Sequence, residues 1–444
     1  MTLARRIAPL AIAALSSAQA RDARRLAHAM LRRLRGAPRR VAYFHQVDDP
    51  YGQLAAQTLP RLLARYAIDL EPHLVLAPSD AAAPERARLA EFARRDAADV
   101  APGFGLGFPP AAPAPREAQV ALAARVLARA IAGGRFAGDA AAVGAALWAG
   151  DAAALEAQSA RLGAASEAAT LDACAQGTAL RAQRRHYLGA TFHYAGEWYW
   201  GVDRLHHLER RLAAEGALRV GEAPDAWVAP RPRAGAAAPS GSASGVALEI
   251  FLSLRSPYSY LAMDRVLALC RRTGAALALR PVLPMVMRGL PVPAVKRRYI
   301  LLDAKREADD AAVPFGRVSD PVGRPVERAF SLYPWACERG RAAEYLLAFL
   351  RAVWAEGVDA GSDEGLRGIV ERAGLSFDEA RPRLDAEGWR AELEANRVAL
   401  AALGLWGVPS FCVRGPGSDP PYATWGQDRL WRVEEEIARR SRPA

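Results

Sequence analysis

The pattern of apolar and polar positions in the second half of the chain predicts a strand, a helix and a second strand. Ala247–Leu252 is a short apolar run, which is typical of a buried strand. Apolar residues at helical spacing follow over Pro257–Arg272, and Gly274 marks the end of this helix. Ala276–Val282 is apolar again and predicts the next strand. This half of the chain therefore begins with a β-α-β unit.

A long helical stretch separates this unit from the last elements. From about residue 294 to residue 403 the apolar positions recur almost entirely at helical spacing. Pro409–Val413 then predicts a short strand, and Asp428–Arg439 predicts a closing helix. A β-α-β opening and a β-α ending around a helical insertion indicate the mixed α/β fold class.

The first half of the chain repeats this design. Three pairs of segments match in the same order: Phe44–Ala55 with Phe251–Ala262, Ala93–Phe104 with Lys305–Phe315, and Tyr199–Leu205 with Thr424–Leu430. The first pair is offset by 207 positions and the last by 225 positions. Three ordered matches predict two homologous domains.

Composition divides the chain into four segments. Residues 1–36 are basic and predict an amphipathic helix packed on the first domain. Residues 37–221 hold the first copy, and residues 246–444 hold the second. Residues 222–245 are rich in Pro, Ala, Gly and Ser without apolar periodicity, so they predict a linker.

Length and charge limit the class of protein. The 444 residues, 51% of them hydrophobic, suffice for two compact domains. No stretch approaches the roughly 18 uninterrupted apolar residues of a membrane span. The net charge of +11 comes almost entirely from arginines interspersed with Asp and Glu, which argues against a nucleic-acid partner; Arg21–Arg40 is the best support for one.

The N-terminus and the cysteines favour a cytoplasmic location. Residues 5–20 imitate a secretory signal, but the apolar stretch is short and contains Pro9, and six arginines follow between Arg21 and Arg35. The cysteines form no C-x-x-C pair and too sparse a set for a disulfide framework. They predict reduced structural thiols at Cys174, Cys270, Cys337 and Cys412.

The motif Ser256-Pro-Tyr-Ser259 stands at the first strand-to-helix junction of the second copy. Serine is a good N-cap and proline a good first helical residue, so helix initiation alone explains it. Its spacing is also that of C-x-x-C with both sulfur atoms replaced by oxygen. The N–H groups and the positive dipole end of a helix N-terminus stabilise a thiolate. The motif therefore predicts a site that receives an external thiolate and cannot form a disulfide.

Two further motifs lie near the C-terminus. In Gly407–Phe411, Pro409 directly precedes a predicted strand, where no ladder N–H is needed. In Trp425–Leu430, Asp428 is at the start of the last helix, where a carboxylate is a favourable dipole partner. In a binding role, Asp428 and Gln427 would hold an α-amino group.

These motifs resemble those of a known family. Their order matches 2-hydroxychromene-2-carboxylate isomerases and kappa-class glutathione transferases, from the DsbA-like branch of the thioredoxin superfamily, over Leu254–Ala262, Val292–Leu302, Gly407–Phe411 and Trp425–Leu430. The resemblance covers about residues 246–440 and is weaker over residues 41–212. It implies an α/β fold with two tandem thioredoxin-like (DsbA-like) domains, each with a helical insertion.

The resemblance also implies a glutathione cofactor and assigns site residues. The serine that hydrogen-bonds the glutathione sulfur is Ser256, and Pro409 is a cis proline that follows the backbone clamp Val408. Lys296 lies near the tripeptide and holds a carboxylate, while Gln427 and Asp428 hold the γ-glutamyl group. The chain departs from the family at Ser253, where an aspartate is usual, and in the short loop Met285–Pro293.

The leading hypothesis is a glutathione-dependent isomerase or transferase that acts on a hydrophobic, aromatic conjugated electrophile. The thiolate adds to a double bond, and rotation and elimination give the isomer, whereas stopping after addition gives a transferase. Candidates for the substrate pocket are Tyr258, Tyr260, Trp406 and Trp425, although large aromatics also fill cores. Every histidine precedes the linker, so the second copy has neither a Ser-His triad nor a histidine metal site of its own, and we expect no metal.

The first copy has lost the corresponding residues. Asp49 stands at the position of Ser256, where a carboxylate would repel a thiolate, and Ala190 aligns with Pro409. We therefore expect a non-catalytic packing or lid partner. The histidines His45, His193, His206 and His207 are candidates for a separate site, but ordinary core or surface histidines are the simpler interpretation.

Two other functions stay open. A DsbA-like thiol–disulfide oxidoreductase shares the fold, but exchange needs an attacking and a resolving sulfur, which the C-x-x-C pair would supply. A non-enzymatic peptide- or partner-binding module would use both copies for holding another chain. The expected partner is a small-molecule substrate, with no nucleic acid and no membrane, and a homodimer is left open.

Overall fold

A computed structural model of the chain describes residues 9–10, 12–14, 16–235, 241 and 245–442. The chain divides into two compact units. The N-terminal unit comprises Arg24–Arg233 with Pro293–Lys296, and the C-terminal unit comprises Ala234–Val292 and Arg297–Ala444 with the residues up to Ala23.

The N-terminal unit contains one four-stranded sheet. Its strands are β1 (Arg40–His45), β2 (Asp69–Leu74), β3 (Thr191–Tyr194) and β4 (Glu197–Trp200), in the order β2-β1-β3-β4. β1 is parallel to β2 and antiparallel to β3, which is antiparallel to β4. The parallel pair needs the crossover helix that the sequence predicts between β1 and β2.

Helices surround this sheet. In α1 (Ala18–Leu34), Arg25 makes two hydrogen bonds of 2.6 and 2.7 Å with Glu197, the first residue of β4. The predicted basic helix therefore occurs over Ala18–Leu34, and residues 1–8 lie outside the described residues. The other helices are α2 (Pro50–Arg65), α3 (Arg86–Val100), α4 (Glu117–Ala132), α5 (Phe136–Trp148), α6 (Ala152–Leu162), α7 (Glu167–Gln183) and α8 (Leu205–Ala214).

The C-terminal unit has the same sheet topology. Its strands are β5 (Ala247–Leu252), β6 (Ala276–Pro281), β7 (Ser410–Arg414) and β8 (Tyr422–Trp425), in the order β6-β5-β7-β8. β5 is parallel to β6 and antiparallel to β7, which is antiparallel to β8. The mixed α/β class is thus confirmed, with two four-stranded sheets in the chain.

The helical insertion of the C-terminal unit lies where the sequence predicts it. The crossover helix α9 (Pro257–Thr273) ends at Gly274, which has a φ of 79° and donates its N–H to the carbonyl of Cys270. The later helices are α10 (Ala294–Asp310), α11 (Arg324–Glu338), α12 (Ala342–Trp354), α13 (Asp363–Arg372), α14 (Phe377–Ala380), α15 (Trp389–Ala402) and α16 (Leu430–Arg440).

The strand registers relate the two sheets residue by residue. Arg40 pairs with Asp69 in the first sheet, and Ala247 pairs with Ala276 in the second, so both strands keep the 207-position offset. Phe44 pairs with Thr191, as Phe251 pairs with Ser410. The residues just before Thr191 and Ser410 therefore occupy equivalent places. This register supports the predicted alignment of Ala190 with Pro409.

The core of the C-terminal unit lies against one face of β5. Leu248, Ile250 and Leu252 alternate along the strand and pack with Leu261 and Val266 of α9. The period of two along the strand and the helical spacing along α9 bring both apolar faces together. This packing holds the N-terminal end of α9 directly after β5.

The predicted linker is partly packed. Val228 and Ala229 are buried, and their N–H groups donate to the carboxylate of Glu209 at 2.8 and 3.1 Å. One carboxylate thus anchors this segment on α8 although the segment lacks apolar periodicity. Across the described residues, the helices are all too short or too polar for a membrane crossing.

Candidate active site

Ser256 caps the N-terminus of α9. Its backbone is extended, with φ −104° and ψ 113°, and its Oγ accepts the N–H of Ser259 at 3.1 Å. The same hydroxyl donates to the carbonyl of Val408 at 3.4 Å, which is at the long end of hydrogen bonds. Ser256 is only 8% exposed. The sequence motif therefore lies against the Gly407–Phe411 motif, 152 positions later.

The peptide bond between Val408 and Pro409 is cis, as the resemblance implies. The loop is fixed on both sides: Ser410 Oγ donates to the carbonyl of Gly407, and Gly426 donates its N–H to the carbonyl of Pro409, each at 2.9 Å. In the part of the chain that the structure describes, the N–H of Val408 has no hydrogen-bond partner. Val408 can therefore offer backbone groups to an extended ligand.

Gly407 allows the loop to lie against Trp425. A Cβ atom on Gly407 would be 2.1 Å from two atoms of the Trp425 ring, far inside van der Waals contact. Trp406 also packs against this ring in a tilted arrangement, with centroids 5.1 Å apart. The GVPSF and WGQDRL motifs therefore form one packed surface next to Ser256.

Gln427 and Asp428 belong to a polar network in front of α16. The Gln427 amide accepts from Arg265 Nη1 at 2.6 Å and donates to Glu307 at 2.9 Å and to Asp428 Oδ1 at 2.6 Å. Gln427 is 2% exposed, whereas Asp428 is partly exposed. Both lie in a short 3-10 turn, Gln427–Arg429, directly before α16. The helix therefore begins two residues later than the sequence predicts. The buried amide thus orients a carboxylate that remains accessible.

The aromatic candidates fall into two groups. Tyr258 is partly exposed and donates from its hydroxyl to Asp303 at 2.8 Å. Trp425 is partly exposed as well. Tyr260 and Trp406 are buried, and the Tyr260 hydroxyl donates to the carbonyl of Pro314 at 2.8 Å. The structure therefore leaves Tyr258 and Trp425 in a position to contact a ligand directly.

Lys296 is grouped differently from the other site candidates. It lies in the short segment Pro293–Lys296 that belongs to the N-terminal unit, and its Nζ donates to the carbonyl of Ala82 at 2.8 Å. Burial lowers the pKa of Lys296. An ammonium group carries three donors, so this contact leaves donors for a carboxylate.

Two arginines near the site were not singled out by the sequence. Arg255, which directly precedes Ser256, makes two hydrogen bonds of 2.6 and 2.7 Å with Asp320. Arg288 donates to the carbonyl of Trp406 at 3.4 Å, and burial lowers its pKa. The position of Arg255 beside the SPYS motif was a usable signal. Arg288 gave none, because its partner is 118 positions away.

The cysteines of the C-terminal unit have thiols with raised pKa values. All carry free thiols, and Cys270 and Cys412 are buried. Burial raises the pKa of each of these two thiols to about 11. The third, Cys337, is exposed, and burial of its sulfur raises its pKa as well. A thiol with a raised pKa is a poor nucleophile near neutral pH.

The equivalent place in the N-terminal unit holds a carboxyl group. Asp49 caps α2 and accepts the N–H of Tyr51 at 3.0 Å. Burial raises the pKa of Asp49 to about 7. Ala190, opposite, has a positive φ of 52°. This copy keeps a helix-capping residue in Asp49, but it lacks counterparts of the Ser256 hydroxyl and of Pro409.

The four candidate histidines of the N-terminal unit have different surroundings. His45 Nδ1 is 3.1 Å from the Tyr43 hydroxyl, and burial lowers its pKa to about 4. His193 packs on Trp198, and burial followed by the charge of Arg184 lowers its pKa to about 4. His206 lies beside His207, with ring centroids 4.0 Å apart. His45, His206 and His207 are buried, whereas His193 is only partly buried.

Comparison with known proteins assigns the class of the C-terminal half. Residues 247–438 match the family of the DSBA-like thioredoxin domain. The C-terminal half of the chain is therefore a DsbA-like thioredoxin domain, as predicted. The match stops short of the N-terminal unit, so that unit shares the sheet topology without being confirmed as thioredoxin-like.

Individual relatives carry two different activities. The 2-hydroxychromene-2-carboxylate isomerase of Sphingobium xenophagum is 25% identical over 197 residues, which are 43% of this chain and 97% of the relative. A solved structure of 2-hydroxychromene-2-carboxylate isomerase is 23% identical, with a TM-score of 0.36, over 43% of this chain and 94% of that chain. The cytosolic disulfide reductase DsbM from Pseudomonas aeruginosa, solved with GSH, is 22% identical, with a TM-score of 0.32, over 44% of this chain and 99% of that chain. The predicted relationship to the isomerase is thus confirmed at low identity, and a catalytic role in the family is supported.

Proposed function

We propose that the C-terminal unit is a glutathione-dependent isomerase or transferase for a hydrophobic, aromatic conjugated electrophile. One observation carries this proposal: the Ser256 hydroxyl stands at the N-terminus of a 17-residue helix and faces the carbonyl of Val408 before cis-Pro409. A thiolate at this place receives a hydroxyl donor and the positive end of the helix dipole. The chain supplies no thiol of its own there, so the thiol comes from a cosubstrate.

The Ser256 hydroxyl has one proton to donate, and its present acceptor is weakly held at 3.4 Å. On binding of glutathione, rotation about the Cβ–Oγ bond redirects this donation from the carbonyl of Val408 to the sulfur, while Oγ stays in place as the cap of α9. The charged acceptor makes the stronger hydrogen bond. The exchange lowers the pKa of the bound thiol and costs only a long hydrogen bond.

The reaction follows from a bound thiolate. The sulfur forms a bond to one carbon of the conjugated double bond. The π electron pair of the double bond moves into the conjugated system at the same time. The remaining single bond rotates, the carbon–sulfur bond breaks, and the double bond re-forms in the other geometry with release of the thiolate. If a proton is added to the adduct instead, the product is a glutathione conjugate.

The rest of glutathione has suitable partners. The backbone of Val408 would pair with the cysteinyl residue, and Asp428, oriented by Gln427, would hold the α-amino group of the γ-glutamyl residue. A carboxylate that is both oriented and accessible suits an ammonium group. In this proposal Tyr258 and Trp425 contact the aromatic substrate.

We assign the N-terminal unit as a degenerate DsbA-like thioredoxin-fold domain without activity. Its strand order, strand directions and register equal those of the C-terminal unit. Its Asp49 and Ala190 replace the groups that hold a thiolate. Glutathione and reduced thiols both suit the cytoplasm, which we propose as the location.

The test is turnover of a conjugated aromatic electrophile with and without glutathione, followed on wild type and on Ser256→Ala. Glutathione-dependent loss of the electrophile, strongly reduced in the folded variant, supports the proposal. Reduction of insulin disulfides with dithiothreitol by the wild type would favour a disulfide oxidoreductase instead. If neither reaction occurs while a peptide partner binds tightly, the binding-module interpretation takes its place.

A further inference from the structure

Ser253 carries a buried hydroxyl that the proposed chemistry has not yet used. The residue is 2% exposed, and its Oγ has no hydrogen-bond partner among the residues that the structure describes. A buried polar atom without a partner is rare in folded proteins because it loses its bonds to water. A ligand that accepts a hydrogen bond would explain why serine stands here.

The backbone places Ser253 beside Ser256. The carbonyl of Ser253 accepts the N–H of Ser256 at 3.0 Å, and its own N–H donates to Ser259 Oγ at 3.3 Å. These two hydrogen bonds fold the chain into a tight turn between β5 and α9. Ser253 is therefore part of the frame around the N-terminus of α9.

The N-terminal unit shows which way a side chain at this position points. Gln46 is the counterpart of Ser253 at the 207-position offset, and Gly189, before Ala190, is the counterpart of Val408. A Cβ atom on Gly189 would lie 2.6 Å from Cβ of Gln46 and 3.3 Å from Oδ2 of Asp49. The side chains at both positions thus lie against the loop opposite the helix. In the C-terminal unit Ser253 is the counterpart of Gln46, and Ser256, the counterpart of Asp49, donates to the carbonyl of Val408.

We propose that Ser253 Oγ donates a second hydrogen bond to the glutathione sulfur, so that two hydroxyls, from Ser253 and Ser256, hold the thiolate. This inference rests on the proposed function and specifies how its site binds sulfur. A carboxylate at position 253 would repel the thiolate, whereas a hydroxyl donates to it.

The charged groups near the site make these hydrogen bonds with residues other than Ser253. Arg255 is paired with Asp320, and Asp303 is paired with Arg306 and held by Tyr258. Arg288 donates to the carbonyl of Trp406, and Asp428 accepts from the amide of Gln427. A change confined to position 253 therefore reports on the hydroxyl itself.

The experiment measures the pKa of glutathione bound to the full chain, from the ultraviolet absorbance of the thiolate. Wild type is compared with Ser253→Ala, Ser253→Thr and Ser253→Asp, and with Ser362→Ala, which removes a serine cap from α13. We expect Ser253→Ala to raise the thiol pKa by about one unit, Ser253→Asp to raise it further, and Ser253→Thr to keep the wild-type value. Ser362→Ala should also keep it.

Two results separate this inference from the proposed function. If Ser253→Ala binds glutathione with an unchanged thiol pKa, the second hydrogen bond does not exist, although glutathione binding stands. If the wild type binds no glutathione, both ideas fail together. Should Ser253→Ala not fold, the Thr and Asp variants decide, because the inference requires their thiol pKa values to differ.

Discussion

The hydroxyl of Ser256 donates to the carbonyl of Val408 at 3.4 Å, across two motifs that are 152 positions apart in the chain. The hydrogen bond is long, and the hydroxyl is held in place by its role as the cap of α9. A donor that is fixed in position but weakly engaged can turn to a stronger acceptor at little cost. This relationship is the physical basis for a thiolate site without a cysteine.

Removing the Ser256 hydroxyl should lower both the free energy of unfolding and the rate of turnover, for different reasons. Ser256→Ala loses one cap, which should cost roughly 0.5–2 kcal/mol in the free energy of unfolding. The bound thiol loses a donor, so its pKa should rise by about one unit or more, and turnover near neutral pH should fall by roughly ten-fold or more. Chemical unfolding and steady-state rates measure the two effects.

Ser362→Ala is the matched control, because Ser362 caps α13 by accepting the N–H of Gly365 at 3.0 Å. It should show the stability cost alone. Equal loss of turnover in both variants would mean that Ser256 acts only as a helix cap.

Gly407 should not tolerate a side chain. In Gly407→Ala the new Cβ atom meets the Trp425 ring at 2.1 Å, so the ring or the loop has to move. Overpacking of this kind typically costs 1–3 kcal/mol, and it should also displace Val408 and weaken glutathione binding. Gly417→Ala is the control, since a Cβ atom there meets nothing within 4 Å. Wild-type stability in Gly407→Ala would contradict the packed arrangement.

Asp49 should make the stability of the N-terminal unit depend on pH. Its pKa of about 7 exceeds the ordinary value of 3.8, so the folded state binds the proton more tightly than the unfolded state. The contribution to stability is therefore complete at low pH and is lost as the pH rises towards 7. Asp49→Asn keeps a good cap without the charge.

Urea unfolding at acidic and at mildly alkaline pH measures this effect. Asp49→Asn should be more stable than wild type above pH 7, by roughly 1–3 kcal/mol, and nearly equal to it at acidic pH. The same substitution at Asp69, an exposed carboxylate on β2, should change little. A stability difference that does not vary with pH would contradict the burial of the Asp49 carboxyl group.

A tyrosine–aspartate hydrogen bond occurs at the same place in both units. Tyr51 donates to Asp96 at 2.7 Å, as Tyr258 donates to Asp303 at 2.8 Å. Each aspartate is almost fully buried, so Tyr51→Phe and Tyr258→Phe should each cost about 1–2 kcal/mol in unfolding free energy. Only Tyr258→Phe should also alter the KM for the electrophile. An equal effect of both variants on KM would exclude direct substrate contact by Tyr258.

This repeated hydrogen bond also corrects the middle of the internal repeat. The sequence match aligned Ala93 with Lys305. The two equivalent hydrogen bonds instead align Asp96 with Asp303, at the same 207-position offset as the first motif. The segment is rich in Ala, Arg and Asp in both copies, so several registers score alike by sequence. Burial of one particular aspartate against one tyrosine selects the correct one.

Elements with strong periodicity were predictable, and contacts distant in sequence were not. β5 and α9 were found almost to the residue, because apolar alternation, a serine cap and a terminal glycine all agree. The strands β4 and β8 were missed, since four residues offer too short a pattern. The network around Gln427 could not be predicted from the sequence, because its partner Glu307 is 120 positions away and only the packing of the fold brings them together.

Glutathione binding to the C-terminal unit is tested by calorimetry on wild type and on Asp428→Ala. The control is Asp203→Ala, which removes the counterpart of Asp428 in the N-terminal unit. We predict binding by wild type at micromolar to millimolar strength, equal binding by Asp203→Ala and none by Asp428→Ala. Absence of binding by the wild type would contradict this prediction.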